Sequence, residues 1–89
     1  MKCFKNATVY VDGKGLVKCA VEFDEKIQKI SKKSKAEEIA LPEDAIVLPG
    51  FIDNEAGSIK VGKRADFTVI NENYDVLLTV RGGEIVYQA

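Results

Sequence analysis

The feature that most constrains this chain is its hydrophobic period. Apolar and polar residues alternate every second position over short runs rich in β-branched and aromatic side chains, and each run is closed by Gly, Asp, Asn or Pro. A period of two suits a pleated strand with one buried face and does not suit a helix. The runs predict strands at Cys3 to Val11, Leu16 to Phe23, Lys26 to Ile30, Ala45 to Leu48, Ala65 to Ile70, Val76 to Val80 and Glu84 to Tyr87. Asp12-Gly13-Lys14-Gly15 and Gly82-Gly83 supply the positive φ that tight hairpins need. Asp24-Glu25 reads as a short hairpin loop, followed by an imperfect alternation that suggests a bulge. Pro49-Gly50 stops the fourth run. Residues 31–44 form the least regular stretch, expected to be a loop with one helical turn.

Two meanders of three strands therefore stand at the two ends of the chain, and each alone would leave an apolar face in water. Packing them together gives the expected fold: all-β, a small β-sandwich of two packed, mostly antiparallel sheets. At 89 residues this is a single domain, 1–89. No run approaches the roughly 18 to 20 apolar residues of a membrane helix, and no signal-type core opens the chain. The expectation is a soluble, cytoplasmic protein with no membrane partner.

Charge and composition narrow the chemistry. Thirteen basic against fourteen acidic residues give a net charge of −1, which disfavours generic nucleic-acid binding. Histidine is absent, so no triad or metal centre built on it is available. Cys3 and Cys19 lack CxxC spacing and read as reduced, buried thiols, with a structural disulfide as the alternative. Asp12, Asp24, Asp53, Asp66 and Asp75 fall at turns and strand ends, where capping explains them better than acid–base work. Ser31, Ser34 and Ser58 have no base. Five lysines between Lys26 and Lys35, without an acid among them, read first as a solvated edge that resists aggregation and second as an anion-binding patch. The sequence thus nominates no catalytic, cofactor-binding or metal-ligating residue, no cofactor and no small-molecule substrate.

Two longer strings are more specific: Leu48-Pro49-Gly50-Phe51-Ile52-Asp53, and Gly57-Ser58-Ile59-Lys60-Val61-Gly62-Lys63-Arg64-Ala65-Asp66-Phe67. The first resembles the segment by which members of the amidohydrolase superfamily pass into their catalytic barrel. The second resembles the segment by which they return to an accompanying β-sandwich built from both chain ends. Asp12-Gly13 and the closing run Arg81 to Tyr87 fit that plan, so the resemblance covers nearly the whole chain. Within the superfamily, the compact finish from Ala65 to Tyr87 is most similar to the N-acetylglucosamine-6-phosphate deacetylases.

The resemblance implies a division into an N-terminal half, 1–53, a joint at 54–57 and a C-terminal half, 58–89. A (β/α)₈ barrel takes roughly 250 residues, and only Asn54, Glu55 and Ala56 separate the two strings here. Where the family's His-x-His metal pair would follow Asp53, this chain has Glu55 and Gly57. The expected function is accordingly a non-catalytic accessory sandwich isolated from its barrel, by natural deletion or deliberate excision. An alternative is an interaction module that self-associates, as a homodimer, or binds a partner through the surface that formerly faced the barrel.

Overall fold

The computed structural model describes residues 1–52, 55–56 and 58–89, without the side chains of 51, 52, 55 and 56. The fold is all-β. Its strands are β1 (Lys2–Val11), β2 (Gly15–Phe23), β3 (Ile27–Ser31), β4 (Glu37–Glu38), β5 (Ile46–Pro49), β6 (Phe51–Ile52), β7 (Glu55–Ala56), β8 (Phe67–Ile70), β9 (Val76–Arg81) and β10 (Glu84–Gln88). The alternating runs become strands close to where the pattern places them.

The two meanders do not form separate sheets. They join through β5 into one eight-stranded sheet of order β10-β9-β8-β5-β1-β2-β3, with β4 paired to β1 off that path. Strand β5 runs parallel to β1 and antiparallel to β8. The physical reason lies in the edge of β1: a ten-residue strand has room for two partners along one side. Glu37–Glu38 pairs with Lys2 and Cys3, and Ile46 and Val47 pair with Thr8 and Val9. What local pattern could not supply was this central parallel pair, formed between segments more than thirty positions apart.

The ladder aligns Val17, Val9, Val47, Val69 and Leu78 in one row across five strands. All five face the core, and this row carries the inner surface from one wing to the other. On β1, Phe4, Ala7, Val9 and Val11 all face inward, although Phe4 and Ala7 are three positions apart. One extra residue is needed to keep both parts on the same face. The β1–β2 register shifts between Phe4 and Ala7, and Asn6 there adopts φ of 49°, a left-handed conformation that asparagine tolerates well. A further register shift falls between Glu22 and Phe23, against the start of β3, where the alternation was already imperfect.

Phe4, Phe23 and Phe67 fill the centre, each fully buried, with ring centroids 5.0–5.3 Å apart. Two come from the N-terminal wing and one from the C-terminal wing, so this trio ties the sheet's two ends together. Tilted and edge-on rings at such spacing add about 0.5–1.5 kcal/mol per pair beyond their area.

Residues 31–44 contain no helical turn. The stretch crosses the outer face of the β1–β2 ribbon to reach the far side of β1. There Ser34 Oγ donates to Glu22 Oε1 (2.6 Å), and Cys3 and Ala20 lie buried on that face. Short polar side chains and backbone groups satisfied one residue at a time hold it, and a β-turn closed by Ala45 N–H donating to the Pro42 carbonyl (3.1 Å) ends it. Cys3 and Cys19 are both buried and both free, facing opposite sides of the ribbon.

Candidate functional site

Both specific strings of the sequence arrive at one place. Pro49 pairs with Phe67, and beyond the last strand pair the Gly50 N–H donates to the Asp66 carbonyl (3.0 Å). Contact there is tight: a Cβ built on Gly50 would lie 2.9 Å from Asp66 Cβ. The segment that leaves β5 and the segment that enters β8 are thus held side by side at the level where the chain departs into β6 and β7. Phe51 and Ile52 form β6, which pairs with β7 in a two-residue antiparallel ladder. Within the joint, Glu55–Ala56 is strand, while Asp53, Asn54 and Gly57 lie outside the described residues.

The returning segment does structural work before it reaches β8. Ile59 is fully buried, and its carbonyl accepts from the Asp12 N–H (3.1 Å). Gly62 N–H donates to the Ile27 carbonyl and Ile27 N–H to the Lys63 carbonyl, both at 2.8 Å. Residues 59–65 therefore bridge the β1–β2 turn and the start of β3.

Asp66 is the buried carboxylate of the molecule's described part, 6% exposed. Its Oδ1 accepts from the Gly82 N–H (2.9 Å) and faces Arg64 Nε at 3.3 Å. It anchors the β9–β10 hairpin and orients a guanidinium. The hairpin turn uses φ of 55° at Gly82 and 82° at Gly83, the two consecutive positive values of a primed turn. Gly83 is also pressed on the β2–β3 turn, where an added Cβ would overlap the Asp24 carbonyl.

Asp12, Asp24 and Asp75 lie at turns, while Asp53 is outside the described residues. Asp24 Oδ1 accepts from the Lys26 N–H (3.0 Å) and from Gln28 Nε2 (2.9 Å), and these bonds, Gln28's first, hold its pKa below the ordinary value. Asp75 accepts from Asn71 Nδ2 (3.2 Å). Asp12 is exposed in the first hairpin turn. Burial raises the Cys19 thiol pKa, against a smaller lowering by Lys14. Among the described residues, no three His, Cys, Asp or Glu side chains are grouped to hold a metal, and no helix is long and apolar enough to cross a membrane.

Three surface features could meet a partner. The first is the outer face of the C-terminal wing, where the ladder sets Ile46, Ile70 and Val76 in one row and Leu48, Thr68, Thr79 and Tyr87 in the next. Ile46, Leu48 and Ile70 are half-buried, whereas Val76 and Tyr87 are exposed at 41% and 51%. The second is a cleft of about 420 Å³ at the Asn6 bulge, lined by Lys5, Lys18, Glu38 and Glu43 among others. The third is an open cleft of about 490 Å³ between the β2–β3 turn and the β9–β10 hairpin, lined by Glu25, Lys26, Arg64, Arg81, Gly82 and Glu84.

This third cleft divides the lysine run of the sequence. Lys29, Lys32, Lys33 and Lys35 are exposed along the edge strand β3 and the crossing segment, while Lys26 pairs with Arg64 in a lone antiparallel bridge and turns toward the arginines. Sequence spacing carried no signal for this convergence, because its residues come from three segments joined by the Gly82–Asp66 bond and by backbone hydrogen bonds. Those bonds run from Ala65 N–H to the Glu25 carbonyl (2.8 Å) and from Gly83 N–H to the Ala65 carbonyl (2.9 Å).

Compared with known proteins, the chain matches no protein-family model, no curated protein and no solved structure.

Proposed function

We propose that this chain is a non-catalytic accessory module of the amidohydrolase type, most similar to the sandwich of N-acetylglucosamine-6-phosphate deacetylases and separated from its barrel. In this reading the two wings of the sheet, facing each other across the phenylalanine trio, take the parts of the two sandwich layers. One observation carries the reading: the Gly50 N–H bonded to the Asp66 carbonyl. A domain assembled from both chain ends needs the outgoing and returning segments to be neighbours, and here the two strings that resemble them are neighbours. The parent chemistry implied by the resemblance is metal-assisted hydrolysis of an N-acetyl group from a phosphorylated amino sugar. This chain's part would be to support the barrel, without metal, cofactor or substrate of its own. Incubation with N-acetylglucosamine 6-phosphate and a divalent metal should release no acetate. Turnover that survives repurification would overturn the reading.

A second reading, an interaction module, is favoured by the apolar rows on the outer face of the C-terminal wing. Ile46, Leu48, Ile70, Val76 and Tyr87 are the kind of surface that a lost neighbour would have covered. Light scattering over a micromolar to near-millimolar series separates the two. A monomer throughout favours the self-sufficient module, and a discrete dimer that Ile70→Lys abolishes favours self-association.

A further inference from the structure

We infer that the cleft between the β2–β3 turn and the β9–β10 hairpin is a binding site for a phosphate group. The inference rests on geometry that is independent of the accessory-module reading. Arg64 is the centre of the argument. Its Nε lies 3.3 Å from the Oδ1 of buried Asp66, and its Nη2 would sit 3.3 Å from a Cβ on Gly82, so the guanidinium is laid over the hairpin turn. Among the described residues this one carboxylate contact is the only ion pair. Contact through Nε, on a side chain that is 59% exposed, leaves the two terminal nitrogens as a planar fork of donors, the geometry that matches two oxygens of a phosphate.

Two further cations line the same cleft from different segments: Lys26 from the β2–β3 turn and Arg81 from the end of β9. Both are exposed, and neither makes an ion pair among the described residues, although Glu25 and Glu84 share the lining. Three cations and two carboxylates line the cleft, and Asp66 beside Arg64 balances the third charge, so the attraction for a phosphate comes from the convergence of donors rather than from net charge. Two of the cations are arginines, which bind phosphate as oriented forks rather than as point charges. The scaffold beneath is rigid, since Gly83 is packed against the Asp24 carbonyl and Ala65 bonds both neighbouring turns. A backbone held in this way keeps the three side chains rooted around one cleft.

Amide chemical shifts, followed by NMR at constant ionic strength, test this with two probes in parallel: inorganic phosphate and glycerol 1-phosphate. Saturable shifts centred on Lys26, Arg64, Gly82 and Gly83 are expected, with sodium chloride as the control that produces none. A response to both probes identifies the phosphate group itself as the ligand, and a response to the ester alone identifies a phosphorylated small molecule. Arg81→Gln, at an exposed position, should weaken binding by about tenfold, the loss of one charged hydrogen bond. Arg64→Lys should weaken it comparably although the charge is kept, because the fork is gone. Lys32→Gln with Lys33→Gln should leave it unchanged. Shifts that never saturate, or that spread along residues 29–35 and vanish in the double lysine variant, would overturn the proposal.

Discussion

The two wings of the sheet are built from the same local plan and end in different surroundings. Each is a meander of three antiparallel strands with one apolar face turned to the phenylalanine trio. In the N-terminal wing the outer face is covered as well: the segment after β3 crosses it, and Cys3 and Ala20 are buried there at 0% and 1% exposure. In the C-terminal wing nothing among the described residues crosses the outer face, and β10 is exposed along its whole length. Alternation therefore fixed which face of each wing is inside. Whether the other face meets water was decided by where the connecting segment had to go. A strand that must reach the far side of β1 to pair has only the outer face of the ribbon to cross, since the inner face is filled.

The comparison can be broken first at its seam. Phe67→Ala removes the one ring that the C-terminal wing gives to the trio and should cost about 3–5 kcal/mol, enough to unfold much of so small a domain. Urea denaturation would register it, and a loss below about 1 kcal/mol would mean that the wings are held together by the ladder alone.

Next comes the contact between the C-terminal hairpin and the N-terminal turn. Gly83→Ala meets a backbone carbonyl and an unfavourable φ together, for an expected loss of about 3 kcal/mol. Gly13→Ala has a similar φ of 80° with nothing within 4 Å, and should cost only about 1–2 kcal/mol. Equal losses would show that the hairpin does not dock.

The outer faces provide a smaller and more direct contrast. Ala20→Gln forces a long polar side chain under the crossing segment, at about 2 kcal/mol. Thr68→Gln, half-buried on the other wing's outer face, should stay within about 0.5 kcal/mol. If the two shift the thermal midpoint alike, the covered and open faces are not different.

The smallest effect is a pH response of the buried thiol. Burial raises the Cys19 pKa in the folded chain, so the unfolded chain loses its thiol proton first as pH rises. Stability should therefore decline slightly once pH climbs past the unfolded thiol's ordinary range, about 8.5. Cys19→Ser should flatten that decline when urea midpoints are compared between neutral and alkaline pH.

Strand positions, the hairpin glycines, the free buried cysteines and the turn roles of Asp24 and Asp75 were legible in the sequence, because each depends on neighbours within a few positions. Alternation sets a face, consecutive glycines permit a primed turn, Asp24 caps the Lys26 N–H two residues on, and Asp75 accepts from the Asn71 side chain four residues back. Residues 31–44 are largely irregular, as expected, but carry the two-residue strand β4 in place of the expected helical turn, because their sparse apolar residues have no local partner. Ile39 and Leu41 pack against a core assembled from distant strands. The single continuous sheet, the Asn6 bulge's partnership with a split edge, and the meeting of Lys26, Arg64 and Arg81 were decided by tertiary structure alone. Each requires loops to close between segments far apart in the chain. The entropy of that closure is offset only when the whole core forms, so no short window of sequence could have carried its signature.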